Sequence, residues 1–401
     1  MTILSVVIPA FNEERGIAEI VGRVLSVGPD LQKAGVDQLE LLVVDDGSRD
    51  RTAEVASKIP GVNLIRHPRN KGYGAALKTG FSKACGELIG FLDADGTYPP
   101  EYFPQLCRAA LSGTDLVIGS RMAGEDSKMP LTRRIGNLFF ATLLTLLGRQ
   151  KVTDSASGMR VFKREILEQI YPLPDGLNLT PVMSTRAMHE GITIGEIPIP
   201  YSERVGRSKL SVIRDGRIFL ESMVWTALSY NPVRILGLFG LAGIGVALLV
   251  FLSMVLARFN GVTSLGPWGV AALFVALISA IGGIDLFALG VTFNYLVGLF
   301  YKKPIRQGLF GKPIFSTPLD QQFGWMGILS ILIGIALGLV SLALGLRGWE
   351  LERLWFYLLG SALIFLVGLQ LVINWLLIRI LDELNRREIL TKQDMTCGEA
   401  A

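Results

Sequence analysis

The chain has 401 residues, of which 50% are hydrophobic and 18% charged, which excludes both a single small domain and an ordinary soluble protein. The formal net charge is only +4, and nucleic acid is not an expected partner. Cys85, Cys107 and Cys397 are odd in number and unclustered, which argues for a reducing compartment and against structural zinc.

Residues 1 to about 120 alternate strand-like and helix-like segments. Met1 to Pro9 has no basic n-region and no cleavage site, so it reads as a strand and not as a signal peptide. The spacing predicts strands at Leu4 to Ile8, Leu39 to Val44, Val62 to Arg66, Leu88 to Leu92 and Asp115 to Gly119, with helices starting near Arg15, Thr52 and Gly74. Alternation of this kind implies an α/β, mostly parallel sheet with helices on both faces, and such sheets bind ligands beyond the carboxyl ends of their strands. Pro9 to Glu13, Asp45 to Ser48 and Asp93 to Asp95 all fall at ends of that type. Asp93 and Asp95, one small residue apart after an apolar strand, are expected to point the same way. Two carboxylates held so close call for a cation, and a hard divalent ion with open coordination positions receives a diphosphate.

The charge then changes sign. Residues 1 to 120 hold 12 Lys and Arg against 15 Asp and Glu, whereas Arg121 to Arg217 holds 15 against 10. Two apolar stretches in and just beyond this basic part, Ile135 to Leu147 and Ile213 to Tyr230, are too short or too polar to cross a bilayer. With Arg133, Arg134 and Arg149 flanking the first, they are read as helices lying on the cytoplasmic leaflet rather than as buried core helices.

Four apolar runs follow: Arg234 to Arg258 enclose 23 uncharged residues, Trp268 to Tyr301 contains one charge, Asp285, and Gly324 to Leu346 and Leu354 to Ile378 contain none. Each meets the roughly 20 residues needed to span a hydrocarbon core. Lys302, Lys303, Arg306 and Lys312 follow the second run, and Arg379, Arg386, Arg387 and Lys392 follow the fourth. Excess Lys and Arg marks the cytoplasmic side, so both termini and the N-terminal domain are expected in the cytoplasm, on a multi-pass protein of the cell membrane. Gly282-Gly283, Phe287 and Gly290 repeat as Gly360-Ser361, Phe365 and Gly368 at an offset of 78, the pattern of two diverged two-helix units. Asp285, mid-span, is by default a functional candidate, but the favoured reading is structural, a bond to a neighbouring polar group such as Asn374 or Gln370. The expected domains are therefore 1–232, 233–382 and a cytoplasmic tail, 383–401.

Taken together, Val7 to Glu14, Val43 to Asp50, Asn70 to Gly74, Asp93 to Asp95 and Gly119 to Arg121 resemble a family 2 inverting glycosyltransferase of the GT-A (Rossmann-like) fold. Asp154 to Arg160 and Arg204 to Leu210 are similar to its polyprenyl-phosphate branch, which includes dolichyl-phosphate mannosyltransferases and undecaprenyl-phosphate glycosyltransferases. The resemblance implies a UDP- or GDP-sugar as donor, a polyprenyl phosphate lipid as acceptor, transfer of one sugar with inversion, and Mg²⁺ or Mn²⁺ held by Asp93 and Asp95. It implies that Pro9, Phe11 and Glu13 line the nucleoside pocket, that Asp46 faces the base and that Asp93 also serves the donor nucleotide. No Gly-x-Gly-x-x-Gly follows the first strand, which counts against hydride transfer.

For the acceptor, Arg is the best bidentate match to phosphate oxygens. Arg121 and Arg133 are the first candidates by resemblance, with Arg160, Arg204, Ser208 and Lys209 in the same basic part. A phosphate monoester is already mostly anionic at neutral pH, so no catalytic base is required. Asp154 is the carboxylate nominated if one acts, beside Asp95 and Arg121 as catalytic residues, while His67 and His189 are read as structural. A processive polymer synthase is disfavoured because Gln370 to Trp375 does not fit the Gln-x-x-Arg-Trp motif of such relatives, and a non-catalytic transport or scaffold protein because Asp93, Asp95 and Arg121 are intact. Homo-oligomerisation is left open.

Overall fold

The computed structural model describes residues 1–122, 131–147, 150–201, 212–261, 266–300, 319–349 and 351–397. The chain divides into two compact units, Met1–Ala227 and Leu228–Ala401.

The first unit is built on one seven-stranded sheet: β1 (Ile3–Ala10), β2 (Gln38–Asp45), β3 (Val62–Arg66), β4 (Leu88–Phe91), β5 (Leu116–Ser120), β6 (Arg160–Lys163) and β7 (Ile194–Pro198), in the order β3-β2-β1-β4-β6-β5-β7. Among the described strands only β6 runs antiparallel, between β4 and β5. Period-two alternation splits β1 between two cores. Leu4, Val6 and Ile8 pack with the helices Ile17–Ser26 and Phe103–Leu111, whereas Val7 packs with Ala76, Leu77 and Phe81 of the helix Tyr73–Lys83 and with Met183 and Ala187 of Leu179–Glu190. Phe81, Phe91 and Phe162 meet ring to ring on that second face, with centroids 5.3 to 6.5 Å apart. Fully burying each such side chain contributes about 1.5–3 kcal/mol. This is the expected mostly parallel α/β sheet, with the antiparallel β6 and the strand β7 added to it.

The two apolar stretches beyond residue 130 are helices, Leu131–Leu147 and Val212–Tyr230. Phe140 and Phe219 join them, at 5.9 Å between ring centroids. Their outer faces keep Ile135, Leu138, Phe139, Leu146, Ile218 and Trp225 exposed, an apolar surface of the kind that enters a bilayer interface.

In the second unit the four apolar runs are four long helices, Pro232–Phe259, Pro267–Phe300, Leu319–Leu346 and Leu351–Cys397, whose apolar cores of 25 to 34 residues are long enough to cross a membrane. They form two tight hairpins. A Cβ on Gly240 would lie 2.6 Å from Gly283 O and 2.8 Å from Phe287 N, and one on Gly334 would lie 2.9 Å from Ser361 O and 2.8 Å from Phe365 N. The positions approached, 283 and 287 in one hairpin and 361 and 365 in the other, stand 78 residues apart. Glycine allows this approach because a side chain there would meet the facing backbone.

Between the hairpins Thr292 Oγ1 donates to Asn374 Oδ1 at 3.2 Å, and Tyr295 Oη donates to Asp382 Oδ1 at 2.7 Å. Asn374 Nδ2 donates to the Gln370 carbonyl. The expected bond of Asp285 to Asn374 or Gln370 is therefore not formed: Thr292 and the helix backbone take the amide, and Asp285 makes no hydrogen bond or ion pair among the described residues.

Candidate active site

Three loops leave the carboxyl ends of β1, β2 and β4, and side chains stitch the first two together. Asn12, in the left-handed region at φ 54°, donates its N–H to Ser48 Oγ at 2.9 Å and accepts Arg49 N–H on Oδ1 at 2.8 Å. Glu13 N–H donates to Thr52 Oγ1 at 2.8 Å, and Glu14 N–H to Asp50 Oδ2 at 3.2 Å. Asp50 also accepts Thr52 N–H at 3.0 Å, at the start of the helix Thr52–Ser57. Pro9, next to last in β1, is buried; Phe11 and Glu13 are half-buried beyond the strand.

Asp46 is the node of this edge. Its Oδ1 accepts Lys71 N–H at 2.9 Å and lies 2.7 Å from His67 Nδ1, and its Oδ2 accepts Gly72 N–H at 2.9 Å. A carboxylate only accepts, so Nδ1 carries the His67 proton, and Nε2 faces Thr79 Oγ1 at 2.9 Å. Three of the roughly four lone-pair positions of Asp46 thus serve the protein itself. His67, read from the sequence as structural, braces Asp46 in the loop after β2, and no motif marks it.

β4 ends at Phe91, so Asp93 and Asp95 sit in a turn closed by Gly96 at φ 75°. The strand-period argument for their shared direction therefore does not apply; local side-chain bonds set each one. Tyr73 Oη donates to Asp93 Oδ1 at 2.8 Å, and Thr97 donates both its N–H (3.1 Å) and Oγ1–H (2.6 Å) to Asp95 Oδ1. Burial pushes the Tyr73 hydroxyl well above its ordinary pKa, with the charge of Asp93 adding to the effect, so Tyr73 stays a donor. Among the described residues no three His, Cys, Asp or Glu gather into a metal cage. Two carboxylates alone fit a hard ion whose remaining ligands are phosphate oxygens and water.

Across from this pair lies a buried ion pair. Arg121 donates N–H and Nε–H to Asp154 Oδ2 at 3.0 and 2.7 Å, and Nη2–H to Oδ1 at 2.8 Å. The guanidinium carbon lies 5.6 Å from the Tyr98 ring centroid and 5.9 Å from that of Tyr201, within cation–π range. Burial opposes both charges, but each partner more than offsets it: Asp154 is held below the usual carboxylate range and Arg121 above its usual value. Asp154, nominated as a base, is thus the counter-ion of Arg121, with both oxygens committed. Glu196 on β7 fixes the backbone beneath it, accepting Thr153 N–H at 2.8 Å and Asp154 N–H at 3.0 Å.

Arg160, expected to face the acceptor phosphate, lies inside the protein instead. It is fully buried and donates to Ser157 O (3.1 Å), Ser184 Oγ (2.9 Å) and Ser155 O (2.8 Å), and burial lowers its pKa to about 10. Its guanidinium ties the Asp154 segment to the helix Leu179–Glu190 and is not presented to a lipid phosphate. Arg133 lies on the helix Leu131–Leu147, but its side chain is outside the described residues, as are Arg204, Ser208 and Lys209.

Tyr98 connects the two halves. Its ring lies against Arg121, its hydroxyl accepts Gly158 N–H at 2.7 Å, and Gly158 presses on Asp93, where a Cβ would come within 2.5 Å of Oδ2. Asp93 and the Arg121–Asp154 pair are therefore joined through Tyr98 and Gly158 at one end of the sheet.

Residues 5–171 match the Glycosyl transferase family 2 model, and residues 232–392 match a domain of unknown function, DUF8752. The low-salt glycan biosynthesis hexosyltransferase Agl6 of Haloferax volcanii is 34% identical over 63% of this chain, and the match spans 59% of that protein's length. The dolichyl-phosphate hexose transferase of the same organism is 33% identical over 55% of this chain and 92% of its own. The undecaprenyl-phosphate 4-deoxy-4-formamido-L-arabinose transferase of Edwardsiella ictaluri is 32% identical over 70% of this chain and 84% of its own. The chain belongs to the family 2 glycosyltransferases, as an enzyme of their polyprenyl-phosphate branch.

Proposed function

We propose that the protein transfers one sugar from a nucleoside diphosphate sugar to a polyprenyl phosphate at the cytoplasmic face of the membrane, inverting the anomeric carbon. The observation that carries this reading is the Tyr98 junction, which sets the Asp93 and Asp95 carboxylates beside the Arg121–Asp154 pair. Residues 1–232 would form the catalytic domain, 233–382 a membrane domain of two related hairpins and 383–401 a cytoplasmic tail.

Pro9, Phe11 and Glu13 would line the nucleoside pocket, with Asp46 shaping it through the Lys71-Gly72 backbone. The donor is a UDP- or GDP-sugar. Asp93 and Asp95 would hold Mg²⁺ or Mn²⁺, which supplies positive charge to the diphosphate when bound. Arg121 leaves Nη1 outside its bonds to Asp154 and would offer it to the acceptor phosphate, helped by Arg133, Arg204, Ser208 and Lys209. A phosphate oxygen attacks the anomeric carbon, the bond to the diphosphate breaks, and the electron pair leaves with the nucleoside diphosphate. The nucleophile is already anionic near neutral pH, because the second pKa of a phosphate monoester is about 6. The Arg121-bound state of Asp154 agrees with a reaction that uses no protein base.

Purified protein incubated with Mg²⁺, polyprenyl phosphate and a panel of UDP- and GDP-sugars should yield one lipid monophosphate sugar by mass spectrometry. Asp95→Ala should remove it, a loss of at least about 100-fold for a group acting on transition-state charge. Polymer in place of a single addition, or unchanged turnover in Asp95→Ala, would exclude this reading.

A further inference from the structure

Asp93 is gripped from both sides, by groups that no motif assigns to it. Tyr73 Oη donates to its Oδ1 at 2.8 Å, and Gly158 stands so close to Oδ2 that any side chain there would displace the carboxylate. Neither group is loosely held. Gly72, at φ 107°, donates its N–H to Asp46 Oδ2, and Ala75 N–H donates to Asp175 O at 3.1 Å, so the backbone is pinned on both sides of Tyr73. Glycine is required at 72 and 74, since a Cβ there would lie 2.5 Å from Asp175 O and 2.2 Å from Pro174 O. Gly158 is tied in turn by its N–H to Tyr98 Oη. A run of bonds thus extends from Thr79 through His67 and Asp46 to the start of the helix Tyr73–Lys83, and through Tyr73 to Asp93.

We propose that Tyr73 is a positioning residue that, with Gly158 opposite, sets Asp93 in the orientation in which it and Asp95 take a divalent cation. The inference rests on the proposed metal-dependent use of this carboxylate pair. Groups that hydrogen-bond a ligating carboxylate orient it, and their removal typically weakens metal binding by about 10–100-fold. Tyr73 does not touch the reacting atoms in this account; it acts through Asp93. The same run of bonds makes the nucleoside loop and the cation site one mechanical unit, because Asp46 and Asp93 are joined through Lys71, Gly72 and Tyr73.

The test is a titration of Mn²⁺ into the full-length protein with UDP, and separately with GDP, reading free Mn²⁺ by electron paramagnetic resonance. Tyr73→Phe keeps the ring and removes only the hydroxyl. It should bind Mn²⁺ at least about tenfold more weakly than the parent, raise the metal concentration needed for half-maximal transfer, and leave KM for polyprenyl phosphate unchanged. Gly158→Ala reaches the same carboxylate from the other side and should show the same selective loss, so it carries the test if the phenylalanine variant does not fold. Mn²⁺ binding at parental affinity in a folded Tyr73→Phe, with Asp95→Ala deficient, overturns the positioning role alone. Parental Mn²⁺ binding in Asp95→Ala and Asp93→Ala overturns the metal reading and this inference with it.

Discussion

The two sides of the site, proposed to serve donor and acceptor, are built on opposite principles. On the donor side, Asp46 and Asp95 accept backbone N–H groups, and Asp93 accepts a neutral hydroxyl. Three carboxylates gather there, an arrangement that suits the cation proposed to come with the substrate. On the acceptor side the charge is balanced within the protein: Arg121 and Asp154 form a buried, bidentate pair flanked by two aromatic rings. A guanidinium neutralised in this way presents a directed donor without an uncompensated buried charge. On the proposed reading the carboxylate side receives a cation with the substrate, whereas the Arg121–Asp154 side meets a phosphate with its own charge already balanced.

If the acceptor side depends on internal balance, breaking it should be the more costly in stability. Asp154→Asn leaves the buried Arg121 without its counter-ion, a loss of about 3–5 kcal/mol, measured as a lower denaturant midpoint of the first unit. The effect has a pH signature. Asp154 is held below its ordinary pKa, so its pairing stabilises fully above about pH 4 and is lost as pH falls through the depressed folded value. The parent should lose that stability on acidification, and Asp154→Asn should lack this part of the acid limb.

The proposed donor side should respond more mildly to loss of one brace. His67→Ala removes one of three partners of Asp46 and should cost about 1–3 kcal/mol in stability, with a higher KM for the nucleotide sugar than for the lipid. A still smaller effect is expected away from both sides. Arg23 and Glu101 pair at 2.9 Å but are substantially exposed, so Arg23→Ala should change stability by less than about 1 kcal/mol and leave transfer unaltered.

What could be read in advance follows the same division. The central strands were legible because β1, β2 and β4 are apolar runs ending in polar turns, and the spans because hydropathy alone marks them. β6 was not, since Arg160-Val-Phe-Lys163 is four residues with charges at both ends and becomes a strand only through pairing with β4 and β5. Asp93, Asp95, Arg121 and Asp154 were all visible as chemically active residue types. Their partners were not, because Tyr73 to Asp93 and Arg121 to Asp154 are contacts across 20 and 33 residues. A sequence shows that Asp154 is a carboxylate; only the fold shows it to be a counter-ion and not a base. Arg160 misled for a related reason, as its charge is legible and its burial among Ser155, Ser157 and Ser184 is not.

The division of labour between the two sides is tested most directly by comparing donor binding with transfer in Arg121→Lys, which keeps the charge and loses the fork. The account predicts unchanged binding of nucleoside diphosphate with Mn²⁺, and a KM for polyprenyl phosphate raised about 10–100-fold, the range of a hydrogen bond to a charged group. Equal loss of donor binding and transfer, or an unaltered KM for the lipid, would contradict it.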